Sequence, residues 1–211
     1  MTEITTLDQA ERIRQKAHDL FMQYGLRSVS MDDIASALGM SKKTIYQYYA
    51  DKDELVDAVI TAKISRTAEC CTLDHQRAEN AVHEIFLAMD MMVETFRVMN
   101  PGLMFDMQKY HPHAFEKFLS HKNQFLFQVI KSNIERGIRE GLYRPDLPVD
   151  LLSRYRVESI LIPFLPIMNE KSSYSLMEVH QEIALHFLYG LVSPNGFQLI
   201  QQYIEQRKKT A

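Results

Sequence analysis

The chain has 211 residues, of which 46% are hydrophobic, and its formal net charge is −3 at pH 7. A chain of this length can form one or two compact domains with a core, and its acidic balance argues against a protein that coats nucleic acid indiscriminately. The most apolar stretch, residues 160–168, is much shorter than the roughly 20 residues of a membrane-spanning helix, and the N-terminus lacks the basic and apolar pattern of a secretory signal.

The first predicted helix precedes a compact pair of helices. It starts from the capping pattern Thr6-x-x-Gln9, carries apolar residues such as Ile13 and Ala17 at helical spacing, and ends at Gly25.

The segment that follows predicts two short helices bent around a glycine. Ser30 and Asp33 have the spacing of a capping box, and Gly39 suits the left-handed residue that ends a helix. Ser41 then caps a second helix, in which Ile45 faces inward. The pattern is that of a helix-turn-helix, and the alternative is an ordinary helical hairpin with a solvated polar face.

The exposed face of that second helix is rich in cations and hydrogen-bond donors, namely Lys42, Lys43, Tyr46 and Gln47, with Thr44 and Tyr48 at its margins. Lys43 and Gln47 are four residues apart, so they are predicted to share one stripe. A lysine can reach the acceptors of guanine, and a glutamine can pair with adenine. Residues 40–52 hold three lysines and one aspartate, a local charge of +2, which suits site-specific binding.

The helix-turn-helix motif is followed by the sequence Asp51-Lys-Asp-Glu-Leu55. Residues 10–59 as a whole resemble the DNA-binding domain of the TetR family of transcriptional repressors. The resemblance implies that Thr44, Tyr46, Tyr48 and Lys52 contact phosphates and that Lys42 serves the same surface. Lys43 departs from the small residue that the family often has there, so base reading and phosphate contact both stay open for it. Tyr48 has the alternative of packing against the three-helix core. The predicted DNA-binding set is Arg27, Ser28, Ser30, Ser41, Lys42, Lys43, Thr44, Tyr46, Gln47, Tyr48 and Lys52.

The middle of the chain predicts further helices. One begins near Asp51, with a weak break at residues 72–75, and the next span residues 78–99, 103–109 and 112–141. The two cysteines, Cys70 and Cys71, are adjacent, so a bridge between them would be strained and a reducing cytoplasm is the simplest interpretation. A redox switch is the alternative.

Methionine and phenylalanine are concentrated in these middle helices. Methionine is deformable and suits a cavity for apolar ligands, whereas the alternative is a methionine-rich core. The resemblance favours the cavity, because family members bind an inducer among these helices. The predicted pocket residues are Phe86, Met89, Met92, Phe96, Met99, Met104, Phe105, Met107, Tyr110, Phe118 and Phe125. The candidate polar anchors are Glu94, Arg97, Gln108, His111, His121 and Asn123.

The C-terminal part predicts helices over residues 149–168, 175–190 and 194–208, and Ser175-x-x-Glu178 has the spacing of a capping box at the start of the second. Pro163 and Pro166 are expected to kink or end the first of them. These helices carry more apolar surface than a terminal hairpin usually hides, and the resemblance implies that two subunits pair here. The predicted dimer interface is Leu152, Tyr155, Ile160, Phe164, Ile167, Ile183, His186, Leu188 and Tyr189.

Together these patterns predict an all-α protein with a three-helix DNA-binding domain (residues 1–50) packed on a larger helical domain for ligand binding and dimerisation (residues 51–211). The predicted function is that of a cytoplasmic, homodimeric, ligand-released repressor that binds a pseudo-palindromic operator. Its partners are double-stranded operator DNA and a small apolar or amphipathic effector, with no membrane. The alternative is an all-α small-molecule-binding or interaction protein that no longer reads DNA. No catalytic motif is found, and His111-Pro-His113 is too loose a pattern to indicate a metal site; no cofactor is predicted.

Overall fold

A computed structural model describes residues 2–165, 168 and 174–210. These residues are mainly helical and form no strand; their one isolated antiparallel bridge joins Tyr143 and Val192. The prediction of an all-α fold is confirmed. No helix within the described part of the chain has the length and apolar character to cross a membrane.

The helices are α1 (Thr2–Tyr24), α2 (Met31–Leu38), α3 (Lys42–Ile45), α4 (Lys52–Arg77), α5 (Ala81–Val98), α6 (Leu103–Tyr110), α7 (Pro112–His121), α8 (Phe127–Arg139), α9 (Val149–Ser159), α10 (Leu176–Leu191) and α11 (Pro194–Thr210). A π-helical turn (Lys122–Leu126) separates α7 from α8, and a 3-10 turn (Ile162–Phe164) follows α9.

The chain forms two compact units. The N-terminal unit comprises Met1–Arg66 and Val98–Leu119, and the C-terminal unit comprises Thr67–Arg97 and Ser120–Ala211. The boundary between the two compact units is crossed within α4, α5 and α7. The predicted boundary after residue 50, between a DNA-binding and a ligand-binding domain, is a functional one and stays a prediction.

In the N-terminal unit, the inward faces of α1, α2 and α3 supply a small core in which Ile13, Ala17, Ile34 and Ile45 have no exposed surface. Gly25 follows α1 with a φ of 85°, a conformation that favours glycine. It lets the chain turn at the end of α1.

In the C-terminal unit, the core is built around Tyr143, which is 1% exposed. The single proton of the Tyr143 hydroxyl is shared between two acceptors, the carbonyl of Ala81 at 3.2 Å and Oδ1 of Asn133 at 3.1 Å. Nδ2 of Asn133 donates to the same Ala81 carbonyl at 3.0 Å. These bonds satisfy polar groups that would otherwise be costly to bury. The residues packed in this core are Ala81, Val82, Phe86, Met89, Ile134, Tyr143, Leu147, Ala184, Phe187, Leu188, Leu191 and Ile200.

Four predicted boundaries were wrong. α1 begins at Thr2, ahead of the predicted cap at Thr6. α4 runs through residues 72–75 without a break, since Asp74 is buried and pairs with Arg77 one turn later. The predicted helix over residues 112–141 is interrupted by the π-helical turn, whose buried Lys122 pairs with Glu158 at 2.9 Å. The helix predicted to reach residue 168 ends at Ser159, and Pro163 lies in the 3-10 turn. Pro166 lies outside the described residues.

A glycine-to-alanine pair tests the packing around Tyr143. A Cβ on Gly137 would lie 2.1 Å from Cδ2 of the buried Tyr143 ring, whereas a Cβ on Gly190 would meet nothing within 4 Å. Gly137→Ala is expected to lower the free energy of unfolding by about 1–3 kcal/mol through overpacking, and Gly190→Ala to raise it by about 0.5 kcal/mol. Urea denaturation measures both. A Gly137→Ala protein as stable as the wild type would contradict the close approach.

Candidate nucleic-acid interface and ligand cavity

The helix-turn-helix predicted from the sequence is formed by α2 and α3. The Ser30 side chain accepts from the Asp33 amide at 3.2 Å, and the Asp33 carboxylate accepts from the Ser30 amide at 2.7 Å, which completes the capping box. Gly39 ends α2 with a φ of 65°, and Ser41 caps α3 by accepting from the Thr44 amide. These local bonds fix the turn between the two helices.

α3 is shorter than a regular recognition helix. It is α-helical over Lys42–Ile45, and the next turn is closed partly by i→i−3 bonds, from the Gln47 amide to Thr44 and from the Tyr48 amide to Ile45. Ile45 has no exposed surface, and the Tyr49 hydroxyl donates to the Ala10 carbonyl at 3.0 Å. Both residues therefore anchor α3 to the N-terminal unit, as predicted for Ile45.

The opposite side of α3 is open. Most of the predicted contact residues here are exposed, namely Ser41, Lys42, Lys43, Tyr46 and Gln47, while Thr44 and Tyr48 are half-buried. Lys43 forms no ion pair with any residue that the structure describes. The Lys43 ammonium and the Gln47 amide are thus available to an incoming partner.

Lys42 is engaged within the protein. Its ammonium lies 2.7 Å from Oδ2 of Asp32 on α2, and this hydrogen bond raises the pKa of Lys42. Both side chains are exposed, so the pair contributes little to stability. A phosphate that approaches α3 competes with Asp32 for this cation.

Lys52 does not lie free at the surface, as a phosphate-contacting lysine would. Its ammonium donates to the carbonyl of Leu26 and lies 5.9 Å from the centre of the Phe21 ring. Burial lowers the pKa of Lys52. In this geometry Lys52 ties the start of α4 to the loop after α1, and its phosphate contact stays a prediction.

The residues ahead of α2 have mixed roles. Arg27 is exposed; its amide donates to Oδ2 of Asp106 at 2.9 Å, and its guanidinium lies 5.6 Å from the centre of the Tyr110 ring. Ser28 is exposed, whereas the Ser30 hydroxyl is already used in the capping box. Their contacts with DNA stay predictions.

The C-terminal unit contains a cavity of about 150 Å³ between α4, α5, α8, α9 and α10. Its wall is largely apolar, and its lining residues are Thr67, Cys71, Glu84, Ile85, Ala88, Met89, Met91, Met92, Leu126, Val129, Ile130, Asn133, Arg156, Ile160, His180, Ala184 and Phe187.

Only two of the predicted pocket residues, Met89 and Met92, line this cavity. Three further predicted residues belong to the same unit but pack elsewhere. The Phe86 ring packs on Tyr203, and the Phe125 ring packs on His121. The Phe96 ring packs on Phe164 and His180. The others lie in the N-terminal unit because residues 98–119 pack there, namely Met99, Met104, Phe105, Met107, Tyr110 and Phe118. The prediction placed the pocket too far towards α6 and α7.

The polar groups at the cavity were missed by the sequence analysis. None of the six predicted polar anchors lines the cavity. His111, for example, lies in the N-terminal unit, where its Nδ1 is 2.5 Å from Oδ1 of Asp53. Arg156, His180 and Asn133 line it instead. One signal for His180 was present in the sequence, since it occupies an apolar stripe of α10 between Leu176 and Ala184.

Two of these polar groups have unusual environments. His180 is 5% exposed, its Nδ1 has no hydrogen-bond partner in the described part of the chain, and burial lowers its pKa to about 3. Burial also lowers the pKa of Arg156 to about 10. At neutral pH, His180 is therefore neutral and Arg156 is charged.

The predicted dimer residues are only partly at the surface. Tyr155, His186 and Tyr189 are exposed, while Leu152, Ile160, Phe164 and Ile183 are half-buried. Leu188 has no exposed surface because it packs in the core of the C-terminal unit, so its assignment to an interface was wrong. Ile167 lies outside the described residues. Leu151 and Phe197, 65% and 49% exposed, are surface apolar residues that the prediction omitted.

The cysteines and the histidine pair have simple environments. Cys70 and Cys71 are free and half-buried, and burial raises the pKa of Cys71 to about 11. His111 and His113 pair with Asp53 and Asp57, respectively. No cluster of three or more potential metal ligands occurs among the described residues.

Comparison with known proteins places this site in context. Residues 13–59 match the family model for bacterial regulatory proteins of the tetR family. The HTH-type transcriptional regulator YvaF of Bacillus subtilis is 34% identical over 105 residues, 48% of this chain and 53% of YvaF. The transcriptional repressor KstR2 of Mycobacterium tuberculosis is 24% identical over 140 residues, 64% of this chain and 70% of KstR2. The chain thus aligns with about half of YvaF and somewhat more of KstR2.

A solved structure of a transcriptional regulator from Saccharomonospora viridis, in complex with choline, superposes with a TM-score of 0.69 at 18% identity. The match covers 88% of this chain and 98% of that one. At this identity the likeness shows the fold alone.

Proposed function

We propose that the chain, whose residues 13–59 match the model of the tetR family of bacterial regulatory proteins, is a homodimeric transcriptional repressor of that family. It binds a pseudo-palindromic operator through α3 and is released by a small effector held in the C-terminal unit. The observation that carries this proposal is the capped helix-turn-helix whose exposed side presents Lys43 and Gln47. Bacterial chromosomes lie in the cytoplasm, so we place the protein there.

The chemistry of α3 supports DNA reading. Gln47 has a donor and an acceptor that match the major-groove edge of adenine, and Lys43 can reach guanine acceptors or a phosphate. Tyr46 and Lys42 provide further donors at the same exposed side. Phosphate contacts from these residues would fix the register, while Gln47 would read sequence.

One chain presents one α3, and a second copy is the simplest way to read two half-sites. We propose that the subunits pair through exposed apolar side chains of α9, α10 and α11, in particular Tyr155, Tyr189 and Phe197. The Tyr189 and Phe197 rings are 5.8 Å apart, so they form one continuous apolar patch. Burial of such surface contributes roughly 25 cal/mol per Å².

The cavity of about 150 Å³ supports an effector site. An effector can release DNA only if it binds the low-affinity conformation more tightly than the DNA-bound one. The choline complex of the Saccharomonospora viridis regulator is a precedent for a small ligand in a protein of this fold.

Selection of bound duplexes from a random DNA pool tests the proposal. The wild-type protein is expected to enrich an inverted repeat. Gln47→Ala is expected to relax one symmetric base-pair position and to cost about 1–3 kcal/mol on the preferred site, whereas Gln128→Ala, an exposed change on α8, should leave the consensus unchanged. A pool with no enriched sequence would favour the alternative protein that no longer reads DNA.

A further inference from the structure

The cavity of the C-terminal unit combines an apolar wall with a cation. Met89, Met92 and Ile130 contribute to the apolar wall, and Arg156 reaches it from α9. Arg156 is half-buried, and a charge that is withdrawn from water is costly unless it is paired. The partners of Arg156 therefore indicate what the cavity is suited to hold.

Arg156 has few partners within the protein. Its Nη1 donates to Oγ of Ser159 at 2.9 Å, and its guanidinium carbon lies 5.9 Å from the centre of the Phe187 ring. No carboxylate forms an ion pair with it among the residues that the structure describes. A guanidinium has five N–H donors, so most of its hydrogen-bonding capacity is open to a ligand.

The carboxylate that also lines the cavity does not balance this charge. Oε2 of Glu84 lies 2.9 Å from Nη1 of Arg136, and its Oε1 lies 3.1 Å from Nδ1 of His75. Arg136 is itself shared with Glu140, whose Oε1 lies 2.7 Å from Nε of Arg136. Glu84 is thus engaged by groups other than Arg156, and no ion pair joins Arg156 to Glu84 among the described residues.

His180 adds a second polar group without a partner. Its ring packs edge-on against Phe96, with the two centroids 4.8 Å apart. Its Nδ1 is buried and unpartnered among the described residues. Because the ring is neutral, Nδ1 can donate a hydrogen bond in one tautomer.

We propose that the effector is a small carboxylic acid, bound as its anion, whose carboxylate pairs with Arg156 and hydrogen-bonds to His180 while its apolar body packs on Met89, Met92 and Ile130. This inference rests on the proposed effector site and names its ligand class. The volume sets the size, since an engineered apolar cavity of about 150 Å³ accommodates benzene. Guanidinium–carboxylate pairs are charge-assisted and often bidentate, and a cationic ligand would be repelled.

Three probes of almost identical shape test the ligand class, namely benzoate, the neutral benzamide and the cationic benzamidinium. Isothermal titration of the full chain is expected to give at least tenfold tighter binding for benzoate than for benzamide, and no detectable binding for benzamidinium. Equal affinity for benzoate and benzamide, or no binding of benzoate, would overturn the proposal.

Two substitutions on the same helix test the residue. Arg156→Gln is expected to abolish the preference for benzoate, whereas Arg154→Gln, which removes an exposed charge two residues away, should retain it. Arg156→Lys keeps the charge without the planar fork and should retain a reduced preference, so the test survives if Arg156→Gln does not fold. If Arg156→Gln folds and its affinity for benzoate is unchanged, Arg156 does not hold the anion. If Arg156→Gln does not fold, unchanged affinity of the Arg156→Lys protein for benzoate leads to the same conclusion.

Operator binding measured with and without benzoate separates this inference from the proposed function. If benzoate binds through Arg156 but leaves operator affinity unchanged, the inference stands and effector release fails. If the operator is bound specifically but benzoate does not bind, the DNA-reading function stands and the inference is wrong.

Discussion

Replacing both Tyr189 and Phe197 with glutamate is expected to convert the dimer into monomers and to weaken operator binding roughly 10²- to 10⁴-fold. The two rings form the centre of the proposed subunit contact, and four carboxylates brought together there would repel one another. A monomer loses the second recognition helix, so binding of that helix is no longer intramolecular. Light scattering and fluorescence anisotropy with the selected duplex measure the two effects.

The fold should survive this double change, because Tyr189 and Phe197 are 37% and 49% exposed. The matched control is Phe105→Glu with Tyr174→Glu, which alters two side chains that are more exposed, at 60% and 67%. That control should stay dimeric. A Tyr189→Glu, Phe197→Glu protein that keeps the mass of two 24.6 kDa chains would show that the subunits pair elsewhere.

Lys43→Glu is expected to reduce operator affinity roughly 100-fold or more. Each dimer carries two copies of the substitution, and each copy replaces a cation next to DNA with an anion that phosphates repel; a single good base contact alone contributes about 1–3 kcal/mol. Lys208→Glu makes the same change in net charge at an exposed position of α11 and should have little effect. Anisotropy titrations at fixed ionic strength compare the two proteins.

The milder variant Lys43→Ala distinguishes the two roles left open for this residue. If Lys43 reads a base, the selected consensus should change at one symmetric position. If it contacts a phosphate, binding should weaken alike on all sequences, and the slope of log affinity against log salt should fall by about 1 per contact. Unchanged affinity for Lys43→Glu would remove α3 from the interface altogether.

Local features were the most predictable from the sequence. The capping boxes of Ser30 and Ser175 and the left-handed Gly39 all form as predicted, because each depends on bonds between residues only a few positions apart. The π-helical turn was not predictable in this way. Its buried Lys122 pairs with Glu158, which lies 36 positions further along the chain, and no local pattern connects the two.

The cavity was less predictable for a related reason. Apolar periodicity identifies the face of a helix that is buried, but not the core in which it is buried. Met104 and Met107 are buried as the pattern indicates, yet they pack in the N-terminal unit. Arg156 and His180 meet at one cavity although they lie on different helices, and no spacing rule connects them.

The surface of α10 shows the same limit on a smaller scale. This helix is apolar on most of its faces, so the sequence leaves open which residues pack inward. Leu188 packs in the core while the adjacent Tyr189 is exposed. Lys52 is a comparable case, since its sequence context indicates a surface cation and its ammonium instead binds the carbonyl of Leu26.

The most direct test of the proposed function compares the affinity of the wild-type protein for the selected inverted repeat with its affinity for the same duplex after one half-site has been scrambled. If two copies of α3 read two half-sites, scrambling one of them should weaken binding by roughly 100-fold or more. Equal affinity for the two duplexes would contradict the account, because it would mean that the chain binds DNA without reading it as a dimer.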